Sequence, residues 1–222
     1  HLQFTTKCSR YGSISHSHGD QSAFLLFAHG EELAIQSGYY VGFGTSMHRQ
    51  WRRLTKSKNA ILIDGKGQYA GPDKSLQIQS AGKVLAAEER ADGTVFISMD
   101  PTPAYRQEVP YLRSYRRDFH LIRGRHLVVV DEVELEQAGQ VQWLMQLMGS
   151  PQLGQNSFRH EGQHGGISGE FVFCSSGAPT LSAVEGFDDV ELSEIPGLPL
   201  HHRLVATTPS AKSHSLVTLL TP

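Results

Sequence analysis

Short runs of β-branched, aromatic and aliphatic residues, separated by glycine-containing turns, occupy this chain almost from end to end. Turn signals such as Asp64-Gly65 and Asp92-Gly93 bound runs that have the length and composition of strands. Nine such runs cover residues 23–28, 60–63, 94–99, 113–122, 127–135, 141–147, 171–173, 204–206 and 215–220. No window of about 12 residues or more carries a helical apolar stripe. The pattern predicts an all-β fold, an antiparallel β-sandwich of the supersandwich-like kind with few or no helices.

The run over residues 113–122 shows the alternation of a strand with two chemically different faces. Tyr115, Arg117 and Phe119 recur at a spacing of two, and Arg116 and Asp118 fill the positions between them. Because successive side chains of a strand point to opposite sides of the sheet, the two sets occupy opposite faces.

Length and charge limit the possible partners. The 222 residues suffice for one large all-β domain, which we predict to span residues 1–222. The formal net charge of -2 at pH 7 creates no overall field that would attract nucleic acid or an anionic membrane. The longest apolar runs are also far shorter than the ~20 residues of a membrane-spanning helix. We therefore expect neither nucleic acid nor a membrane among the partners.

The chain starts at His1 rather than Met, which we interpret as a processed or excised chain whose upstream part is missing. Cys8 and Cys174 are too few for a disulfide scaffold. They would form one bridge in an exported protein, or remain two buried thiols, and the sequence favours neither state.

The segment Ser15-His16-Ser17-His18-Gly19-Asp20 is the richest in chemically active side chains. On an extended strand, His16, His18 and Asp20 would project from one face. Two imidazoles and a carboxylate can bind a metal, transfer protons or neutralise an acidic ligand. They can equally form an ordinary polar strand face, because the H-x-H pattern is common outside metal sites.

A basic segment, residues 48–58, follows downstream and contains Arg49, Arg52, Arg53, Lys56 and Lys58 as well as His48. Tyr39, Tyr40 and Trp51 are interleaved with it or precede it, and aromatic rings of this kind can stack on sugars. Guanidinium groups can pair with carboxylates or sulfates in a bidentate manner. The alternative is a solvated basic face whose charge is balanced by Glu31 and Glu32.

Order and spacing over residues 11–68 resemble the heparinase II/III family of polysaccharide lyases. The matching pieces are Tyr11-Gly12-Ser13, residues 16–20, residues 24–28, residues 34–40 and residues 58–65. Together they are far more specific than any one of them alone. A weaker similarity continues to about Gly149.

The resemblance implies the C-terminal β-sandwich of a larger enzyme, with an N-terminal α-helical toroid that is absent here. Family members cleave acidic polysaccharides that contain uronic acid by β-elimination, which implies a periplasmic or secreted protein. The catalytic role of the first histidine carries over to His16, while the tyrosine base belongs to the missing helical domain. Asp20 and Asn59 would fix the local geometry, and Tyr40, Arg52 and Arg53 would contact the sugar.

The sequence departs from the family at the structural zinc site. Family ligands correspond to His18, Gln36 and Lys58, so only the histidine is retained. An amide oxygen is a poor zinc ligand and an ammonium group cannot be one. We therefore predict no cofactor, and we hypothesise that the Lys58 ammonium replaces the zinc, held by Gln36 and His18. The competing interpretation is a decayed site in a noncatalytic carbohydrate-binding or scaffolding sandwich.

His160-Glu161-Gly162-Gln163-His164 matches the H-E-x-x-H pattern of zinc peptidases, which requires a helix. Glycines within and after the motif disfavour a helix, so we predict a hairpin loop and rank a metallopeptidase as a distant third function. We expect His201 and His202 to lie on the surface.

Overall fold

The structure, a computed structural model, describes residues 2–9 and 17–222. In this part of the chain, fifteen strands account for most of the regular structure. They are β1 (Gln3–Lys7), β2 (Ala23–Ala28), β3 (Glu31–Ala34), β4 (Ile61–Ile63), β5 (Lys83–Glu89), β6 (Thr94–Asp100), β7 (Leu112–Ile122), β8 (His126–Gly139), β9 (Val141–Leu147), β10 (Gln152–Leu153), β11 (Ser157–Glu161), β12 (Gly166–Cys174), β13 (Thr180–Glu185), β14 (His202–Thr207) and β15 (Ala211–Thr221).

The strands form three antiparallel sheets. The largest has eight strands in the order β10-β11-β12-β15-β8-β7-β6-β5. A three-stranded sheet has the order β1-β2-β3, and a four-stranded sheet has the order β13-β14-β9-β4. The predicted all-β sandwich is confirmed, and its layers are one large sheet packed against two smaller ones.

Buried side chains from all three sheets meet in one core. The Phe24 ring of β2 lies 5.9 Å from the Phe119 ring of β7, and the Trp143 ring of β9 lies 5.4 Å from the Phe171 ring of β12. These contacts bury apolar area between the layers, which is the main favourable contribution to folding.

A buried ion pair lies within this core. Arg117 binds both carboxylate oxygens of Asp131, at 2.6 and 3.0 Å, and the Tyr115 hydroxyl also donates to Asp131. Arg117 also donates to the carbonyl oxygens of Ser22 and Asn59. Burial alone would lower the pKa of Arg117, but the Asp131 carboxylate raises it above its ordinary value. The charged side chain therefore joins the large sheet to the segments that lead into β2 and β4.

All nine runs predicted as strands are strands, and the faces of β7 are those that the alternation indicated. The prediction missed six further strands: β1, β3, β5, β10, β11 and β13. These are short or carry many exposed polar residues, so they lack an apolar signal.

Within residues 2–9 and 17–222, helical structure is limited to short pieces. Two α-helices, α1 (Lys74–Gln79) and α2 (Thr102–Tyr105), accompany a π-helical turn at Met47–Arg52 and 3-10 turns at Thr55–Ser57 and Leu192–Glu194. The Asp73 carboxylate caps α1 by accepting the backbone N–H of Ser75 and Leu76. Among the described residues, no helix is both long and apolar enough to cross a bilayer. Cys8 and Cys174 are free thiols, and Cys8 is buried.

Candidate functional site

The predicted histidine segment is only partly described, because His16 lies outside the described residues. Residues 17–20, which follow it, are irregular rather than a strand, so the expectation of an extended strand is wrong for this part. Backbone hydrogen bonds hold the segment instead: Gly19 donates to the Arg53 carbonyl at 2.7 Å. Asp20 forms an ion pair with Lys7 at 2.9 Å.

Lys58 occupies the centre of the candidate site and is only 3% exposed. Its Nζ lies 3.1 Å from His18 Nδ1 and 2.5 Å from the Arg52 carbonyl oxygen, to which it donates. Burial lowers the pKa of Lys58 to about 7, while the nearby Asp20 charge opposes this shift. A buried amine is thus held by one imidazole and one backbone carbonyl.

His18 is a neutral acceptor in this arrangement. Burial, and then the positive charges of Lys58 and Arg52, lower the pKa of His18 to about 3. Gln36 Nε2 lies 3.5 Å from the same Nδ1 atom. Gln36 therefore contacts His18 rather than Lys58, and the Arg52 carbonyl is a partner of Lys58 that the sequence did not indicate.

The donor set at this position does not fit a zinc ion. The Lys58 amine lies on His18 Nδ1, and the third side chain is the amide of Gln36. In the described part of the chain, no group of three or more His, Cys, Asp or Glu side chains is placed to hold a metal. A small cavity of about 80 Å³ borders this cluster, and Asp20, Gln36, Lys58 and Asn59 contribute to its lining.

Asn59 is fully buried at the seam between the two smaller sheets. Its Nδ2 donates to the carbonyl oxygens of Phe24 and Ile35, at 2.6 and 2.9 Å. Its Oδ1 accepts the backbone N–H of Gln146, in β9, at 2.7 Å. One side chain thus satisfies backbone groups from three segments, which fixes the position of the neighbouring Lys58.

One arginine of the basic segment, Arg52, lies over the exposed ring of Tyr40. Tyr40 is 73% exposed, and the Arg52 guanidinium carbon lies 5.4 Å from the centre of its ring. Arg53 is used differently, because its Nε and Nη2 bind the backbone oxygen and hydroxyl of Ser17, at 3.0 and 3.3 Å. The structure therefore brings Tyr40 and Arg52 together and joins Arg53 to the segment that carries His18.

Trp51 cannot stack on a sugar, contrary to the prediction, because its side chain is fully buried. Its Nε1 donates to Ser37 Oγ at 3.0 Å. The alternative interpretation, in which Glu31 and Glu32 balance the basic face, does not describe the surroundings of Lys56. Lys56 lies 3.6 Å from Asp188 and 3.4 Å from Asp189. Both carboxylates belong to the β13–β14 connection, residues 186–201, which packs against the basic segment.

Glu31 instead binds the predicted hairpin loop between β11 and β12. Its carboxylate accepts the backbone N–H groups of Gln163, His164 and Gly165, at 2.7 to 2.9 Å. Desolvation alone would raise the pKa of Glu31, but these three hydrogen bonds lower it. His160 lies on a strand and His164 in the turn, so the hairpin prediction is confirmed.

His201 is buried, so its predicted surface position is wrong. Its Nδ1 accepts the Gly38 backbone N–H at 3.1 Å, and its Nε2 lies 2.9 Å from the Tyr39 hydroxyl, which donates to the Pro199 carbonyl. Burial lowers the pKa of His201 to about 4. No strand or helix periodicity in the sequence indicates that His201 is buried and hydrogen-bonded. Its position just after Pro199 indicates only that it lies in an irregular connection.

Comparison with known proteins gives the same family as the sequence motifs. The family described as heparinase II/III-like, C-terminal, matches residues 1–188. Among solved structures, a heparinase III gene product aligns with 100% of this chain at a TM-score of 0.77 and 18% identity. The heparan sulfate lyase HepC from Pedobacter heparinus aligns with 99% at 0.76 and 18%. A further heparinase III aligns with 94% at 0.70 and 19%.

The chain spans about a third of the length of these solved structures, namely 33%, 32% and 30%. No curated protein sequence matches it significantly. At these identities, the structural similarity establishes a shared fold.

Proposed function

Since this chain belongs to the heparinase II/III-like C-terminal family, we propose that it is the β-sandwich part of a polysaccharide lyase acting on an acidic, uronic acid-containing polysaccharide. The family match over residues 1–188 is the observation that carries the proposal. The pair formed by the exposed Tyr40 and the half-buried Arg52 supports it, because an aromatic ring beside a guanidinium suits an anionic sugar. A helical N-terminal domain would complete the cleft, and the substrate implies export to the periplasm or outside the cell.

The proposed reaction is β-elimination. A base removes the proton at C5 of the uronic acid, the electron pair forms the C4–C5 double bond, and the C4–O bond breaks as the leaving oxygen takes up a proton. The neighbouring carboxylate makes the C5 proton hard to remove, so its charge must be neutralised. We assign His16 to this neutralisation or to assisting the proton transfer. The tyrosine base would come from the helical domain.

In this proposal, Arg52 and Tyr40 contact the sugar and Arg53 acts indirectly. The two hydrogen bonds from Arg53 to Ser17 support a positioning role, since Ser17 directly follows His16 in the chain. Asn59 and Asp20 stabilise the surrounding segments through their contacts with backbone groups and with Lys7.

We further propose that Lys58 takes the place of the zinc ion of the family and that the site needs no cofactor. Its contacts with His18 and the Arg52 carbonyl support this role, because they link the histidine segment to the basic segment as a bound metal would. The lysine serves only as a structural link and takes no part in the elimination.

The full-length protein tests the proposed reaction. It should release unsaturated uronides, which absorb in the ultraviolet, from heparan sulfate or alginate, and His16→Ala should abolish this release. His164→Ala, in the exposed β11–β12 turn, is the matched control and should retain full activity. The present chain alone should give no product.

The second candidate is a noncatalytic carbohydrate-binding sandwich. The observation that favours it is the lysine at a family metal-ligand position, which is also expected of a site that has lost its original role. Binding of the same polysaccharides by the full-length protein without any unsaturated product would establish this alternative and refute the lyase.

A further inference from the structure

Residues Tyr40, Val41 and Phe43 are three exposed apolar side chains of one short segment, here called the aromatic ridge, and the Phe43 ring lies 4.7 Å from the His48 ring. They lie in an irregular connection between β3 and the π-helical turn. Tyr40 is 73% and Phe43 66% exposed, and Val41 is exposed as well. Aromatic rings grouped on a protein surface usually mark a place where something binds.

A carboxylate from the β13–β14 connection holds the end of the ridge. Glu194 Oε1 accepts the backbone N–H of Ser46 at 2.8 Å, while Oε2 accepts the Ser46 hydroxyl at 2.8 Å and the Met47 N–H at 2.9 Å. Ser46 Oγ in turn accepts the backbone N–H of Glu191 at 2.8 Å. The backbone just after Phe43 is therefore fixed by side-chain hydrogen bonds.

The start of the ridge is held from the same connection. Gly38 has a φ of +94°, and a Cβ atom there would lie 2.7 Å from a Trp51 ring carbon, so glycine is required at this position. Its N–H donates to His201, and the hydroxyl of the next residue, Tyr39, donates to the Pro199 carbonyl. Both ends of the exposed stretch are thus bound to residues 186–201.

Tyr39 and Met47, which flank the ridge in the chain, both belong to a small apolar cluster separate from the main core. Met47, Trp51 and Ile195 are buried together, with Phe187 and Leu200 packed against them. The ridge is therefore exposed but preformed, and a preformed surface avoids part of the ordering cost of binding.

The positive charge beside Tyr40 indicates the occupant. Arg52 lies over the Tyr40 ring, while Arg49, which is exposed in the same π-helical turn, interacts electrostatically with Glu194. We propose that the aromatic ridge stacks on the sugar rings of an acidic oligosaccharide, with Phe43 as a further substrate-binding residue and Glu194 as the residue that positions it. This inference rests on the proposed function and extends its binding surface beyond Tyr40 and Arg52.

Phe43→Ala in the full-length protein tests the stacking. Binding of size-defined heparan sulfate and alginate oligosaccharides, measured by calorimetry, should weaken about tenfold, as the loss of one aromatic contact predicts. The dependence of affinity on salt should stay unchanged, whereas Arg52→Ala should reduce it. Phe173→Ala is the matched control, because Phe173 is 53% exposed on β12 and should not affect binding.

Glu194→Ala tests the positioning role. It should weaken binding to a similar extent as Phe43→Ala at a temperature where the variant is still folded, with some loss of melting temperature from the three missing hydrogen bonds. Glu194→Gln retains one acceptor oxygen for the Ser46 and Met47 groups, so it should recover part of the affinity. Equal affinity of Glu194→Ala and the parent protein would overturn this role.

The outcomes also separate this inference from the proposed function. Normal binding by Phe43→Ala, in a protein that still produces unsaturated uronides, overturns the ridge and leaves the lyase intact. Protection of Phe43 from hydroxyl-radical labelling in the sugar-free full-length protein would show that another part of the protein covers the ridge, which also overturns the inference. Absence of both product and sugar binding refutes the two together.

Discussion

Asn59→Ala should destabilise the fold strongly, because this side chain joins the two smaller sheets. The substitution removes two donors to the backbone carbonyls of Phe24 and Ile35 and leaves the buried Gln146 N–H without its acceptor. Each lost carbonyl contact costs about 1 kcal/mol, and the orphaned N–H costs about 1–3 kcal/mol. The sum is about 3–5 kcal/mol, a large part of the ~5–15 kcal/mol that stabilises a typical domain.

Urea unfolding followed by tryptophan fluorescence measures this loss, since Trp51 and Trp143 are both buried. The midpoint should fall while the slope of the transition stays constant. Asn156→Ala is the matched control at a half-buried position and should change the stability by less than about 0.5 kcal/mol. A loss below about 1 kcal/mol for Asn59→Ala would refute the claim that this residue holds the seam.

Three further predictions concern buried charges and imidazoles. Asp131→Asn should lower the free energy of unfolding by about 3–5 kcal/mol, because it leaves the Arg117 charge unpaired. An added Arg117→Met should recover most of this loss in thermal or urea unfolding, and no recovery would contradict the reasoning. Gln36→Asp combined with Lys58→His should bind one zinc ion per chain in elemental analysis, while zinc in the parent protein would contradict the replacement by lysine. Burial lowers the pKa of His201 from 6.5 to about 4, so between these values the unfolded chain binds a proton that the folded chain does not. Stability should therefore fall by up to about 1.4 kcal/mol per pH unit as the pH drops through this window, and His201→Asn should remove this contribution from the pH dependence of urea unfolding; an unchanged dependence would contradict the assignment.

The sequence predicted the strands that line the core and missed those at the margins. β8 alternates buried with more exposed residues along most of its length, so its periodicity is visible in the sequence, and β7 does so from Tyr115 to Arg117. β5 and β13 expose nearly every side chain, and only hydrogen bonding to one neighbouring strand defines them. Whether these edge strands pair depends on the neighbouring strands, and a local sequence pattern carries no information about those neighbours.

The candidate site was predictable only where a motif marked it. The family resemblance over residues 11–68 was what placed His18, Gln36 and Lys58 together. The contacts from Glu194 and His201 were not predictable in this way, because Ser46 and Glu194 are 148 residues apart and Ser37 and His201 are 164 residues apart. Such contacts join irregular segments, for which neither a strand nor a helix period gives a signal.

The last strand of the chain has a central place in the large sheet. β15 lies between β12 and β8, so the strands on either side of it do not touch without it. A fragment trimmed at residue 188, where the family match ends, would divide the eight-stranded sheet into two separate ribbons. During synthesis, the eight-stranded sheet likewise cannot be completed until residues 211–221 have left the ribosome.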